Sequence, residues 1–282
     1  MLSLFFNIEI WYIIDGDFMK YGEFQFKKKY GQNFLVNDNI PKKIVDYSNI
    51  LDDSLVIEIG PGAGALTKIL ATRAKWVLAY EIDTSLDDVL SDNLIGFDNV
   101  DVIYDDFLKR DVVQDIKKYN YKHLYVIANL PYYITTPIIT KFIYDEIDVE
   151  RIVIMVQKEV GERFSAKPKT KNYGSITVFL NYYFDIQKLF DVSRNCFMPK
   201  PNVDSVIIAL NKKKEKMVLN NKKLFFDIVK DSFQFKRKTL RNNLKKYDLD
   251  KIQEILIKHN YSLGSRAEEF PLEVFVDISN NL

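Results

Sequence analysis

Two short stretches of this chain combine residue types and spacing that could do chemistry. Residues 58–64 read Glu-Ile-Gly-Pro-Gly-Ala-Gly, and residues 129–132 read Asn-Leu-Pro-Tyr. Glycines at 60, 62 and 64 let a backbone turn tightly and lie against a ligand with no Cβ in the way. Glu81 stands 21 residues after Gly60, at the end of a second apolar run, where a carboxylate can bind the two hydroxyls of a ribose. A dinucleotide loop would read G-x-G-x-x-G, and a P-loop would continue into Lys-Ser/Thr; this loop does neither. Glu-x-Gly-x-Gly-x-Gly is instead the pattern expected for S-adenosylmethionine, whose amino-acid end meets loop amides without a pyrophosphate. A plain glycine-rich turn from strand to helix is the alternative for the same residues.

Asn129-Leu130-Pro131-Tyr132 suits the other half of a methyl transfer. An aromatic amine such as adenine N6 is a poor nucleophile because its lone pair is delocalised into the ring. A site that methylates it must hold acceptors against both N–H bonds, favouring a pyramidal nitrogen with its lone pair aimed at the methyl group. The Asn129 side-chain oxygen and the Leu130 carbonyl, held by Pro131, can be those acceptors, and Tyr132 offers a flat face for an extruded base. No strong base is required, because the N–H proton becomes acidic only after the methyl has moved. No nucleophilic Cys is required either. The alternative is a strand-to-helix turn with Asn as a cap.

These residues need particular elements to hold them. Leu55–Ile59 is a short apolar run suited to a buried parallel strand, and Ala65–Ala74 has helical spacing, so the glycines sit in a strand, loop, helix unit. Trp76–Tyr80, Val100–Tyr104, His123–Ala128 and Val206–Leu210 read as further strands. Asp105-Asp106-Phe107 follows Val100–Tyr104, where a carboxylate could accept from an adenine amino group or could simply cap a turn. Between Cys196 and Ser205 two prolines predict a rigid extended loop, in which Phe197 reads by default as a core residue.

Composition excludes several classes. One Cys rules out an intrachain disulfide framework, and two His without a Cys cluster leave no zinc site of ordinary spacing, so no metal is expected. With 47% hydrophobic and 14% aromatic residues the chain is folded rather than disordered. Residues 1–14 are too short and too polar to span a membrane and lack a secretory layout, so a cytoplasmic protein is expected. A second Met at position 19 precedes the first segment that reads as part of a domain. The net charge of +1 hides segregation: residues 211–247 carry thirteen Lys/Arg against three acids, a local +10, which leaves −9 for the rest. Phe225, Phe226, Phe233 and Phe235 are interleaved with those cations, which points to a phosphate-binding surface rather than a merely solvated face. Smaller basic groups stand at Lys27–Lys29, Lys42-Lys43 and Lys167-Pro-Lys169-Thr-Lys171. The composition shift at Asn211–Lys216 marks a linker, after which apolar residues recur at helical spacing.

Beyond the two motifs, the carrying stretches are Lys29-Tyr-Gly-Gln-Asn-Phe-Leu35, Met155-Val-Gln-Lys-Glu159, Tyr173-Gly174-Ser175, Cys196-Phe-Met-Pro-Lys-Pro-Asn-Val-Asp-Ser205, Lys236-Arg-Lys-Thr-Leu-Arg-Asn-Asn-Leu244 and Arg266-Ala-Glu-Glu-Phe270. With them the chain resembles the KsgA family of bacterial ribosomal RNA adenine N6,N6-dimethyltransferases from about Phe24 to Leu282. The resemblance implies an α/β fold: a Rossmann-like class I methyltransferase domain with a seven-stranded, mostly parallel sheet, plus a small helical C-terminal domain. The domains would be an extension, poorly ordered, at 1–23, the catalytic domain at 24–211 and a helical RNA-binding domain at 212–282. Asn33 and Leu35 would close over S-adenosylmethionine. Gly60, Gly62 and Gly64 would cradle it, with Glu81 and Ile82 at its ribose, Asp106 and Phe107 at its adenine, and Asn129 joining cofactor to target. Phe197 would stack on the flipped adenine opposite Tyr132, reversing the default core reading. Lys236, Arg237, Lys238, Arg241, Lys245 and Lys246 would bind RNA.

The implied substrate is two adjacent adenosines near the 3′ end of small-subunit rRNA in a pre-ribosomal particle, and the implied product S-adenosylhomocysteine, from a monomer. A resistance-type methyltransferase of large-subunit rRNA is the nearest alternative, but that group typically carries Asn-Ile-Pro-Tyr. An assembly factor whose binding outweighs its catalysis is a third reading. A DNA adenine methyltransferase would need a larger recognition domain than the roughly 70 residues after the linker.

Overall fold

The first two apolar runs pair with each other: β1 (Ile8–Ile14) lies antiparallel to β2 (Asp17–Phe24), with Ile14 opposite Asp17 and Ile10 opposite Tyr21. The structure, a computed structural model, describes residues 8–14, 17–24, 34–131 and 134–282, with the backbone alone for 8–24 and Phe34. Part of the segment expected as a separate extension thus forms a hairpin. Its β-branched and aromatic runs flank Asp15-Gly16, a strong short-range hairpin signal in sequence.

Among the described residues, seven strands form the central sheet. In spatial order they are β6 (Val100–Tyr104), β5 (Trp76–Glu81), β4 (Ser54–Ile59), β7 (His123–Asn129), β8 (Arg151–Gln157), β11 (Ser205–Lys212) and β9 (Phe184–Val192). The first five are mutually parallel, and β11 runs antiparallel to both its neighbours. This is the seven-stranded, mostly parallel sheet expected. From β4 the chain passes through α2 (Ala65–Ala71) and α3 (Asp87–Asn93) to β5 and β6 on one side. It then returns through α4 (Val112–Ile116) to β7 on the other. The reversal leaves a crevice beyond the carboxyl ends of β4 and β7, where ligands bind in open sheets of this kind.

Strand alternation sorts the core into two layers. Leu55, Ile57, Leu78, Val126, Ile154 and Ile208 face one layer, while Val56, Val77, Ile127, Val153 and Ile207 face the other. On the second face lie Ile44 and Val45 of α1 (Asn39–Ser48), Leu66 and Leu70 of α2, and Leu35 and Phe197. Those last two belong to a small ladder between β3 (Phe34–Leu35) and β10 (Phe197–Met198), with Phe197 opposite Leu35. The first face takes α5 (Thr135–Tyr144), α6 (Lys158–Phe164) and α7 (Ser175–Tyr183).

Residues 222–281 contribute helices: α8 (Lys222–Ser232), α9 (Leu240–Asn243), α10 (Leu249–Lys258) and α11 (Leu272–Asn281). They dock on α7 through aromatic rings, Tyr182 on Phe225 at 5.4 Å and Phe179 on Phe226 at 4.9 Å between centroids. Their core is continuous with that of the sheet. The basic run at 211–216 is less of a free linker than its composition suggests. Lys212 is the last residue of β11 and its ammonium meets Asp148, while Lys213 Nζ donates to the Asn181 carbonyl at 2.7 Å.

Helix α6 packs on β11 at Gly161, where an added Cβ would overlap Val206 Cγ1 and press on Ile208 Cγ2. Gly161→Ala should destabilise the protein by about 2 kcal/mol through overpacking. That corresponds to a fall of about 4–8 °C in the thermal midpoint followed by circular dichroism. An unchanged midpoint would mean that α6 can lift from the sheet without loss.

Candidate active site

Because β4, β5, β6 and β7 are parallel, the loops that follow them share one edge of the sheet. Gly60 N–H donates to the Tyr80 carbonyl at 2.9 Å and so ties the exit of β4 to the end of β5. Gly60, Gly62 and Gly64 all have positive φ, at 73°, 60° and 84°. Beside Gly60 a Cβ position meets nothing within 4 Å, so the loop borders open space. At Gly64 the same addition would stand 3.0 Å from Leu90 Cδ1, which keeps the loop close to α3. From α3, Asn93 Nδ2 donates to the Ala63 carbonyl at 3.0 Å, while its oxygen accepts from Lys68 Nζ at 2.9 Å. Sequence reading missed this brace, because neither Asn93 nor Lys68 stands in a recognisable motif.

Glu81 ends β5 and is 4% exposed. Its carboxylate accepts from Gly62 N–H at 3.1 Å and from Asp83 N–H at 2.9 Å, which aims it at the glycine loop. Burial raises its pKa, and the backbone donors Asp83 and Gly62 oppose the rise. Ile82 follows with 45% of its surface exposed, an apolar patch beside the carboxylate. Asp106 caps the short turn Phe107–Lys109 by accepting from Leu108 N–H at 3.1 Å, and its other oxygen lies 3.4 Å from Lys109 Nζ. Its neighbour Asp105 turns instead to Arg110. The Phe107 ring lies between Tyr80 at 5.1 Å and Phe142 at 5.3 Å. That ring is part of the core, so a contact of Phe107 with a ligand in the crevice would be through other atoms of the residue.

Asn129 ends β7 level with Met155 of β8. By strand alternation it shares the face of Tyr125 and Ile127, which is also the face of Glu58, Glu81, Leu35 and Phe197. Leu130 is buried on the opposite face, and the Pro131 carbonyl accepts from Ile134 N–H at 3.2 Å. Tyr132 and Asn33 lie outside the described residues. Leu35 and Phe197 meet in the β3–β10 ladder, which alternation explains: Phe197 points inward, 3% exposed, and Met198 outward. In this structure the ring of Phe197 is covered by core residues, which agrees with its default reading as a core residue.

Glu58 received no role from sequence beyond its place in the motif. It is 1% exposed, faces Thr67 of α2, and its Oε2 has no hydrogen-bond partner among the described residues. Burial pushes its carboxyl up to about 8; the Thr67 hydroxyl, close by but outside hydrogen-bond geometry, opposes the rise, and the charge of Glu81 adds to it. The Glu81 carboxylate at the crevice suits the hydroxyls of a ribose, while the protonated Glu58 offers a hydrogen-bond donor near the glycine loop.

The six cations expected to bind RNA are all exposed, and Arg237, Lys238, Arg241 and Lys245 join none of the ion pairs among the described residues. Lys236 Nζ donates to the Lys171 carbonyl at 2.6 Å. Lys246 lies 2.8 Å from Asp231, which neutralises part of its charge. Among the described residues no cluster of three His, Cys, Asp or Glu could hold a metal ion, and no helix is long and apolar enough to cross a membrane.

The sequence model of the family described as ribosomal RNA adenine dimethylase matches residues 23–282. The chain is 43% identical over 272 residues to ribosomal RNA small subunit methyltransferase A of Geobacillus sp. (strain WCH70), with 93% of each chain covered. It is 44% identical over 272 residues to the protein of that name from Bacillus licheniformis, again with 93% of each covered. Among solved structures it is similar to a dimethyladenosine transferase from Plasmodium falciparum, with a TM-score of 0.72 and 26% identity over 87% of this chain and 95% of that one. It is also similar to the 23S rRNA methyltransferase ErmE, with a TM-score of 0.69 and 25% identity over 88% of this chain and 99% of that one.

Folding takes Glu58 from an ordinary carboxyl to one near 8, so between those values the unfolded chain is ionised while the folded one still holds its proton. Stability should therefore fall as pH rises from about 5 to about 8 and level off above. Glu58→Gln removes that slope. Its thermal midpoint, measured against the wild type, should gain several degrees between pH 5 and pH 8. Parallel curves for the two proteins would mean that Glu58 is ionised in the fold.

Proposed function

The chain belongs to the ribosomal RNA adenine dimethylase family, and from that premise we propose how its residues divide the work of methylating adenine N6 in small-subunit rRNA. The enzyme is an S-adenosylmethionine-dependent methyltransferase. Its target is two adjacent adenosines near the 3′ end of the RNA, presented in a pre-ribosomal particle to a monomeric enzyme. The observation that carries this division is the placement of Asn129 at the end of β7, on the same face and edge as the glycine loop and Glu81.

The cofactor supplies an electrophilic methyl group on a sulfonium, which becomes a thioether when the carbon–sulfur bond breaks. Around it, Gly60, Gly62 and Gly64 offer backbone without Cβ atoms. Glu81 would accept from the ribose hydroxyls with Ile82 beside it, and Asp106 would accept from the adenine amino group. Leu35 shields the crevice with Asn33. The Asn129 side-chain oxygen and the Leu130 carbonyl accept from the two N6 protons of the target, which localises the nitrogen lone pair and aims it along the line of transfer. Tyr132 stacks on the flipped base. For Phe197 to join it, the β3–β10 ladder must open. Once the new nitrogen–carbon bond forms, the N–H becomes acidic and leaves to water, so no buried base is needed. Two transfers on each adenosine make four per RNA.

Asn129→Ala should lower methyl incorporation into a 3′ fragment of small-subunit rRNA by at least about a hundredfold. Affinity for the same RNA should stay within about twofold. Mass spectrometry of the fragment and a filter-binding assay read the two quantities separately. Undiminished methylation by this variant would remove Asn129 from the chemistry, and methylation of large-subunit rRNA alone would reassign the substrate.

A further inference from the structure

Two basic groups that are separate in the sequence meet in the fold. The loop 165–174, between α6 and α7, carries Lys167, Lys169 and Lys171; the loop after α8 carries Phe235, Lys236, Arg237 and Lys238. Lys236 Nζ donates to the Lys171 carbonyl at 2.6 Å, and the Lys169 amide donates to the Glu268 carbonyl at 2.7 Å. Beneath them the Tyr173 and Phe233 rings pack at 6.1 Å. Each loop is also fixed internally. Thr170 Oγ1 donates to the Lys167 carbonyl at 2.7 Å, and Tyr173 N–H to the Thr170 carbonyl at 3.1 Å. The buried Asn243 side chain donates to the Ser232 carbonyl at 2.7 Å and accepts from Phe235 N–H at 3.2 Å.

Lys167, Lys169, Lys171, Arg237 and Lys238 are exposed and join none of the ion pairs among the described residues. Cations without acid partners on a rigid surface attract phosphates at little ordering cost. In the same turn the Phe235 ring stands 57% exposed, although its backbone is held by Asn243 and by Lys238 N–H donating to the Phe235 carbonyl at 2.9 Å. A single exposed ring is ordinary on a protein surface. One held out by a fixed turn among phosphate-binding cations is what a sequence-tolerant stacking platform requires.

We propose that the 165–174 loop and the Phe235 turn form one RNA contact in which Lys167, Lys169, Lys171, Arg237 and Lys238 grip a run of phosphates while an unpaired base stacks on Phe235. The contact rests on the reading of the chain as an rRNA methyltransferase, and it extends RNA recognition from the helical part of the chain onto the sheet-bearing part.

The test uses the full chain and a 3′ fragment of small-subunit rRNA, with binding measured across a salt series. The triple variant Lys167→Gln, Lys169→Asn, Lys171→Gln keeps a residue tolerant of positive φ at 169, where φ is 69°. It should weaken binding and lower the slope of log affinity against log salt by about 2 to 3. Phe235→Ala should weaken binding about tenfold with the slope unchanged, and Phe235→Trp should restore it. Wild-type thermal midpoints and cofactor affinity for every variant exclude misfolding as the cause.

An unchanged slope in the triple variant, or wild-type affinity in Phe235→Ala, overturns the contact. So does a loss seen only with a ribosomal protein and not with RNA. Methylation of the fragment by the wild type tests the underlying reading on its own. Methylation with binding unaffected by the variants sinks the contact alone, while variant-sensitive binding without methylation supports the contact and sinks the reading.

Discussion

The reversal of strand order at β4, from which the sheet grows to β5 and β6 on one side and to β7 on the other, is the constraint on which the site depends. Parallel strands deliver every following loop to one edge, and the reversal parts two of those loops so that a ligand can lie between them. The glycine loop, Glu81, Asp106 and Asn129 follow or end four strands and are spread across 69 residues of sequence from Gly60 to Asn129, yet register alone brings them to that edge. Alternation then selects the face. Glu58, Glu81 and Asn129 fall on the side of α1 and α2, and their neighbours Ile59, Tyr80 and Leu130 point into the opposite core layer.

That arrangement places carboxyl groups where water is scarce. Glu81 is held by two backbone N–H groups, so its burial is compensated in part. Glu58 has no such compensation and keeps its proton to about pH 8. A buried acid with an unsatisfied oxygen lowers stability, and folds carry such groups most often at functional sites, where a ligand completes the pairing. The brace from Asn93 to the Ala63 carbonyl fits the same logic. A loop with three positive-φ glycines has little intrinsic preference for one shape, so a side chain from a neighbouring helix must define it.

Much of this was legible in the sequence because it depends on local pattern. The apolar runs at 55–59, 76–80, 100–104, 123–128 and 206–210 became strands, and the motif glycines became a strand-to-helix loop. What escaped depends on partners distant in sequence. The core placement of Phe197 matches its default reading, but the pairing of β10 with β3, 162 residues earlier, that covers it is encoded by no pattern around Phe197. Phe107 likewise lies between Tyr80 and Phe142. The strands at 8–14 and 17–24 were legible in their β-branched and aromatic runs on either side of Asp15-Gly16.

The net charge of +1 conceals a division of labour that geometry preserves. Acidic groups gather at the crevice edge, and unpaired cations gather on the 165–174 loop and the Phe235 turn. Were these zones within a Debye length of each other, about 8 Å at physiological salt, each would weaken the other's attraction for its own ligand. Helix α6 leaves the carboxyl end of β8 and runs for seven residues, roughly 10 Å at the helical rise, before the first lysine of the loop. The helix therefore acts as a spacer. Under the proposed division of labour, one nearly neutral chain would keep its acidic cofactor crevice apart from the cations that would meet a polyanion.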